Sequence, residues 1–177
     1  MSSFAKKLVI DTNVPKTSNL AHGSVQISQE LKECVFACVE AIEHVTEKGG
    51  LVMDSKGDIF NEYLNNLSLR GQPGIGDRFI KWVHDNQWKF PAADHVAITK
   101  KGNSYVEFPN HDDLMDFDSA DRKFVAVANA HPEKPSILQA TDCKWWGWKD
   151  ALSMVGVKVH FLCPGYVQEK YREKSGV

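Results

Sequence analysis

The sequence contains no hydrophobic run that approaches the roughly 20 residues a membrane-spanning helix needs. The segment 1–7 is too short and too polar for a signal peptide, because Asp11 interrupts the only apolar run near the start. Internal repeats, low-complexity tracts and linkers are also lacking. We therefore expect a cytoplasmic protein that does not associate with membranes.

Cysteine is scarce, and its spacing matches no metal-binding motif. The four cysteines form no CxxC pair, which argues against a shared zinc site. Reduced thiols in an intracellular protein are the expectation that follows. Cys34 and Cys38 lie four residues apart, so we expect both to pack in the core, one helical turn from each other.

Neither sign of charge is in excess. The chain has 21 Lys and Arg against 23 Asp and Glu, which gives a net charge of −2. This balance argues against a general nucleic-acid binder that relies on a broad basic surface. It does not exclude an enzyme that holds a short stretch of nucleic-acid backbone, since a metal bound to acidic residues would itself supply positive charge.

Motifs for several other chemistries are missing. The seven histidines form no HExxH pattern. The glycine-rich segment 71–76 lacks the preceding strand and the following Lys-Ser or Lys-Thr of a phosphate-binding loop, so we expect an ordinary loop there. A chain with acidic residues but no Ser or Cys beside a His fits hydrolysis by metal-bound water.

What the sequence does contain is an alternation of strand-like and helix-like apolar spacing. Its 177 residues, 42% of them hydrophobic, predict a single domain over 1–177. Strands separated by helices predict an α/β fold, a three-layer sandwich whose mostly parallel sheet has helices on both faces. The predicted strands are 7–11, 51–53, 136–141 and 157–162, with a hairpin of 95–98 and 104–108. The predicted helices are 28–48, 58–67, 77–88, 118–130 and 145–155, with a loop at 14–26.

Four acidic residues, Asp11, Glu62, Asp121 and Asp142, stand where strands should end or on the helices between them. A carboxylate just past a buried strand lies at the sheet edge where α/β proteins bind ligands. Several carboxylates together repel one another unless a cation lies among them. The pattern therefore predicts a site for Mg²⁺ or Mn²⁺, both of which prefer carboxylate and water oxygens, and hence phosphate chemistry.

Each of these acids also has a structural alternative. Asp11 could start a turn, Glu62 could be a solvated helix residue, and Asp121 could be the third residue of a helix capped by Asp118. In the functional interpretation, two ions about 3.5–4 Å apart activate a water and stabilise the leaving oxygen of a phosphodiester. One carboxylate could instead act as general base on that water.

Four segments resemble the PIN domain, a metal-dependent ribonuclease family of bacterial toxins and RNA-processing enzymes. Residues 8–13 are similar to the family's opening strand and first acid, and 57–63 resemble the helix that carries its second acid. Residues 116–124 resemble the third-acid helix, and Asp142 followed by Trp145 resembles the last-acid strand end. Together these segments span residues 8–163.

The resemblance implies a sheet of about five mostly parallel strands with Asp11, Glu62, Asp121 and Asp142 clustered at one end as catalytic residues and metal ligands. The length beyond that of the small toxin members falls near 14–30 and 89–115. The family often has a further acid two residues after the last one, and Lys144 stands there in this chain. We therefore expect one metal ion rather than two.

The function predicted in this way is Mg²⁺- or Mn²⁺-dependent hydrolysis of single-stranded RNA by a toxin-like endoribonuclease. A toxin would imply an antitoxin or another protein partner, and homo-oligomers are compatible with the sequence. The alternative is a weak or inactive PIN-like module that binds RNA or a protein. A haloacid-dehalogenase-type phosphatase ranks low, because it needs an acid where Asn13 stands.

Supporting roles are predicted for four further residues. Thr12 and Asn13 could hold Asp11 or a metal-bound water, or could simply form a turn. Asp118 could be a fifth carboxylate, although a helix cap is favoured. Arg122, with Lys123 beside it, could contact the phosphate backbone, although a solvated helix face is slightly favoured.

The tryptophans Trp145, Trp146 and Trp148 follow Asp142 closely. Their rings could stack on unpaired bases. Packing in the core or at an interface is the favoured alternative for each of them.

Overall fold

The computed structural model describes residues 3–177, which contain seven strands and seven α-helices. The strands are β1 Leu8–Ile10, β2 Met53–Asp54, β3 His95–Val96, β4 Lys100–Lys101, β5 Ser104–Tyr105, β6 Ser136–Gln139 and β7 Val159–Phe161. The helices are α1 Asn13–Ser18, α2 Gln29–Lys48, α3 Asp58–Asn66, α4 Ile75–Asn86, α5 Arg122–Ala130, α6 Lys144–Met154 and α7 Pro164–Ser175.

The central sheet is parallel, in the order β1-β6-β7. Ile10 of β1 is in register with Leu138 of β6, which is in register with His160 of β7. β2 and β3 form a separate parallel pair. A single parallel bridge between Leu8 and Leu51 links β1 to the residues just before β2. The predicted α/β class is thus confirmed, but the continuous sheet has three strands instead of about five.

The core forms around these short strands. All three residues of β1 are buried, because α5 packs along β1, β2 and β6. The apolar stripe predicted for α2 is buried as well, and the Ser28 hydroxyl accepts the Leu31 N–H at its start, as predicted. Coverage by helices explains why the residues of β1 are continuously hydrophobic rather than alternating.

The loop predicted for 14–26 is wrong in its first half. Residues Asn13–Ser18 form α1, and a 3₁₀ turn continues over Asn19–His22. Pro15 is compatible with this helix because it is the third residue, where a missing N–H removes no intrahelical hydrogen bond. The turn ends at Gly23, the second residue on which the loop prediction rested.

Two further predictions for the second half of the chain are corrected. His95–Val96 pairs in parallel with β2, so it takes no part in a hairpin. The hairpin is the short pair β4 and β5 around Gly102, whose φ of 59° suits the turn. Pro164, expected only to stop the last strand, occupies the first position of α7.

The cysteines are not all reduced, contrary to the prediction. Cys34 of α2 forms a disulfide with Cys163, the residue before α7, so the two helices are covalently joined. Cys38 is a free thiol in the core as predicted, and burial raises its pKa to about 12. Among the helices of residues 3–177, none combines the length and apolar character that a bilayer crossing requires.

Candidate active site

Asp11 directly follows β1 and is buried, with 1% of its surface exposed. Its backbone N–H donates to the Leu138 carbonyl at 3.1 Å, so the residue extends the pairing with β6 by one step. Its carboxylate accepts the Asn13 N–H at 2.9 Å, at the start of α1. Both roles predicted for Asn13 thus apply: its N–H orients the Asp11 carboxylate, and the same hydrogen bond forms the turn after β1.

Burial of the Asp11 carboxyl raises its pKa to about 8. Loss of water is the largest cause, and the charge of Asp121 is the second. The Asn13 hydrogen bond lowers the pKa, and the charge of Glu62 raises it further. The carboxyl groups of Asp11, Asp121 and Glu62 thus lie close enough to repel one another.

Asp121 is the residue before α5, not the third residue of a helix capped by Asp118. Its carboxylate makes no cap hydrogen bond and accepts the Trp145 indole N–H at 3.1 Å instead. Burial raises its pKa to about 6; the Trp145 hydrogen bond opposes this shift, and the charges of Asp142 and Glu62 add to it. Asp121 is therefore the acid whose charge interacts with all three of the others.

Glu62 lies on α3, and the Thr12 hydroxyl donates to its Oε1 at 2.7 Å. Thr12 therefore holds Glu62 rather than Asp11, which corrects one predicted role. The Lys123 ammonium forms an ion pair with Glu62 Oε2. With 12% of its side chain exposed, Lys123 does not lie on the solvated helix face that the sequence favoured.

Asp142 accepts the Lys144 N–H at 3.0 Å, in the turn that starts α6. The Lys144 ammonium donates to a different acid, Asp118, at 3.2 Å from its Oδ2. Asp118 also accepts the Ala120 N–H at 3.0 Å, so it stabilises a turn before α5 instead of capping that helix. These hydrogen bonds lower the pKa of Asp118, the Ala120 bond most strongly.

The four predicted acids are thus neighbours that interact through their charges, but they do not form a ready-made ligand set. Within residues 3–177, no three His, Cys, Asp or Glu side chains converge closely enough to hold a metal ion. Several carboxylate oxygens of these acids already have partners within the protein. The Thr12 hydroxyl and the Lys123 ammonium contact the two oxygens of Glu62, and the Trp145 indole contacts one oxygen of Asp121. A cation would have to compete for some of these oxygens.

The Arg122 guanidinium is engaged in hydrogen bonds away from the four acids. It donates to the carbonyls of Phe117 and Met115 and to the Ser104 hydroxyl. The guanidinium also lies 4.7 Å from the ring centroid of Phe108. Arg122 therefore ties the β4–β5 hairpin to the segment before α5, a role that neither predicted alternative described.

The tryptophans pack against phenylalanines. Trp145 is fully buried and lies edge-on to Phe117, with the ring centroids 5.0 Å apart, while Trp148 also contacts Phe117, at 4.6 Å. Trp146 packs on Phe161 at 5.1 Å. The core alternative is correct for Trp145, which in addition orients Asp121 through its indole N–H.

Sequence reasoning missed Tyr63. Its hydroxyl donates to the Ile10 carbonyl at 2.5 Å, immediately before Asp11. Burial, together with the charges of Asp11 and Glu62, raises its pKa. Tyr63 therefore fixes the end of β1 against α3, and a tyrosine next to Glu62 on an otherwise apolar helix face was the one local signal for this contact.

No protein-family model, curated protein or solved structure matches this chain. The similarity to PIN domains therefore rests on the four segments of the sequence described above. Membership of that family stays a prediction.

Proposed function

We propose that this protein is a Mg²⁺- or Mn²⁺-dependent endoribonuclease that cuts single-stranded RNA. One observation carries the proposal. Asp11 and Asp121 are two buried carboxyl groups near the carboxyl end of a parallel sheet, and burial together with the charges of neighbouring acids raises the pKa of both. Strongly perturbed carboxyls that repel one another are typical of functional sites. The PIN-like segments support the same function.

The chemical type of the donors, although not yet their arrangement, suits a hard divalent ion. Carboxylate oxygens are the preferred ligands of Mg²⁺ and Mn²⁺, and the positive charge would offset the repulsion that raises the two pKa values. Glu62 is already neutralised in part by Lys123, and the Lys144 ammonium pairs with Asp118. These internal cations support one ion, held by Asp11 and Asp121, rather than two.

The remaining residues have roles that follow from their contacts. A bound ion would lower the pKa of a coordinated water and offset the negative charge of the phosphate. Glu62 or Asp142, at the edge of the site, takes the proton of the attacking water. Thr12 and Trp145 keep Glu62 and Asp121 in position, and Lys123 supplies positive charge near the phosphate.

The first test measures RNA cleavage by Asp11→Asn and Asp121→Asn variants. We expect each to lower Mn²⁺-dependent cleavage of a single-stranded RNA by about 100-fold or more, since even second-shell changes cost roughly 10- to 100-fold. EDTA should abolish wild-type cleavage. Asp150→Asn, which alters an exposed carboxylate on α6, is the matched control and should cleave normally. Unchanged cleavage by both active-site variants would overturn the proposal.

A second candidate function has its own supporting observation. Lys123 and Lys144 already pair with acids of the site, so the protein could be a PIN-like module that binds RNA or a protein partner without cutting. An antitoxin or a second copy of the chain belongs to this proposal. Calorimetric titration with Mn²⁺ separates the two functions, because lack of binding at millimolar concentrations would favour the module.

The five-strand sheet expected of a PIN domain is part of the proposal as well. The Leu8–Leu51 bridge supports this part of the proposal, because pairing of β2 with β1 would extend the order to β3-β2-β1-β6-β7. In that arrangement Asp11 follows the central strand, which is where the open end of a parallel sheet binds ligands.

A further inference from the structure

A cleft of about 480 Å³ opens beside the β4–β5 hairpin. It lies between the hairpin, the chain that follows β5 and the first residue of α5. The residues that matter for its chemistry are Lys101, Val106, Phe108, Asn110, Met115 and Arg122. Its volume falls within the range of small-molecule sites, roughly 300–1,000 Å³.

The cleft is connected to the acids by the chain itself. Arg122 lines it and directly follows Asp121. A second recess, of about 270 Å³, runs along the hairpin and is lined by Ser119 and Ala120, just before Asp121. The hairpin is held over α3 by Tyr105, whose hydroxyl donates to Asp58 at 3.0 Å. The two recesses are therefore lined by the residues on either side of Asp121 in the sequence.

One wall of the cleft is apolar and open to solvent. Val106 is 60% exposed and Met115 is 72% exposed, although both flank a concave surface. Flat apolar rings are the kind of group that such a wall accepts, and every unpaired nucleobase has such a face. The Phe108 ring is not available for this contact, because the Arg122 guanidinium covers it.

The polar groups of the cleft are available to a ligand. Within residues 3–177, the Lys101 ammonium has no ion-pair partner and the Asn110 amide has no hydrogen-bond partner. Arg122 uses three of its five N–H groups on protein oxygens. An unpaired ammonium suits a phosphate, and an amide that both donates and accepts suits the edge of a base.

We propose that this cleft binds one nucleotide of the RNA strand, adjacent to the phosphodiester that is cut. The base lies on the wall formed by Val106 and Met115 and is read at its edge by Asn110. Lys101 binds the phosphate of that nucleotide. The inference rests on the proposed function, because it takes the acids as the place of cleavage. It assigns a role to the chain between 100 and 115, where the sequence has extra length relative to small PIN-like toxins.

The test is nucleotide binding by the metal-free protein in EDTA, where no cleavage takes place. We expect AMP or UMP to shift the backbone amide NMR signals of residues 100–115. Ribose 5-phosphate should bind at least fivefold more weakly, because it lacks the base. If ribose 5-phosphate binds as tightly as AMP or UMP, the cleft recognises only the phosphate and the proposal is overturned. NMR shifts confined to residues outside 100–115 would overturn it as well.

Variants sharpen this test. Asn110→Ala and Lys101→Ala should each weaken nucleotide binding about fivefold and raise the KM for RNA while leaving kcat nearly unchanged. Lys48→Ala, an exposed lysine beside a different cleft, is the matched control and should bind like the wild type. Preferential binding of an acidic peptide over AMP at residues 100–115 would contradict the proposal and indicate a protein-docking surface.

Failure of this inference can be told apart from failure of the proposed function. Asp11→Asn should lose cleavage but bind AMP normally. If Asp11→Asn loses cleavage while Asn110→Ala and Lys101→Ala cut RNA and bind nucleotide normally, the nuclease proposal is supported and the nucleotide-cleft proposal is contradicted. If AMP binds at residues 100–115 but no RNA is cut in Mn²⁺, nucleotide binding by the cleft is supported and the nuclease proposal is contradicted.

Discussion

At the scale of single residues, Asp11 and Asp121 bear an electrostatic cost that the fold does not remove. Both carboxyls are withdrawn from water and each raises the pKa of the other or of a neighbour. Glu62, by contrast, has both a hydroxyl and an ammonium as partners. An uncompensated pair beside a compensated acid is the arrangement expected where a ligand, and not the protein, supplies the missing positive charge.

This cost predicts that Asp11→Asn stabilises the metal-free protein at neutral pH. The pKa of Asp11 is about 8 in the fold and 3.8 in an unfolded chain, so the contribution of Asp11 to stability is most favourable below pH 3.8 and is lost as the pH rises toward 8. An asparagine keeps the oxygen that accepts the Asn13 N–H and carries no charge. We expect a gain of about 2–4 kcal/mol at pH 7 in EDTA, measured by urea unfolding.

The pH profile is the control for that measurement. The gain from Asp11→Asn should vanish near pH 3.5, where the wild-type carboxyl is protonated in both states. Saturating Mn²⁺ should stabilise the wild type but not the variant. A variant that is less stable than the wild type at pH 7 in EDTA would show that the Asp11 charge is satisfied by the protein.

At the scale of elements, α1 and α4 approach closely because two glycines lie at the contact. A Cβ on Gly76 would come within 2.0 Å of the Pro15 carbonyl oxygen, which is backbone and cannot swing aside. Gly74 meets the side chain of Asn19 in the same way. The glycines of segment 71–76 thus allow α4 to pack closely against α1, the helix that follows Asp11. The expectation that this segment binds no phosphate stays a prediction.

The contact predicts that Gly76→Ala is destabilising although alanine favours helices. We expect a loss of about 1–3 kcal/mol, because the overlap forces α1 and α4 apart. Gly165→Ala on α7 is the matched control, since no atom lies within 4 Å of its added Cβ. The midpoint of urea unfolding measures both variants, and an equal midpoint for the two would contradict the packing argument.

At the scale of the whole molecule, a buried ionic cluster joins distant parts of the chain. Asp94 accepts from the Lys7 ammonium before β1 and lies 3.2 Å from His131 Nε2 after α5. The Glu133 N–H donates to His131 Nδ1, so the proton of a neutral His131 ring is on Nε2 and faces Asp94. The start of β1, the start of β3 and the end of α5 are fixed together in this way.

Removing the central carboxylate should therefore weaken the fold as a whole. We expect Asp94→Ala to cost about 3–5 kcal/mol, because it leaves the Lys7 ammonium, only 15% exposed, without its partner. Asp113→Ala, at a carboxylate that is 75% exposed, should have little effect. Chemical denaturation at pH 7 measures both, and a loss below 1 kcal/mol for Asp94→Ala would show that water replaces the missing partner.

Much of the architecture follows from local sequence. The apolar stripe of α2 and its Ser28 cap, the buried run of β1, the start of β6 and, to within one residue, the ends of α6 are recognisable because their causes lie within one or two helical turns. The α1 helix was missed since Pro15 and Gly23 indicate a loop unless their exact place in the helix is known. The α/β class itself needs only the order of these elements.

The sequence by itself determined that four acids stand at the ends of predicted strands or on the predicted helices between them, and that Lys144 comes two residues after the last acid. Only the tertiary structure decided which partners they have: Thr12 holds Glu62 across 50 residues, and Trp145 holds Asp121 across 24. The pairing of Lys123 with Glu62 and the cleft under the hairpin were decided there too. The physical reason is distance along the chain, because burial and charge depend on neighbours that only the folded chain brings together.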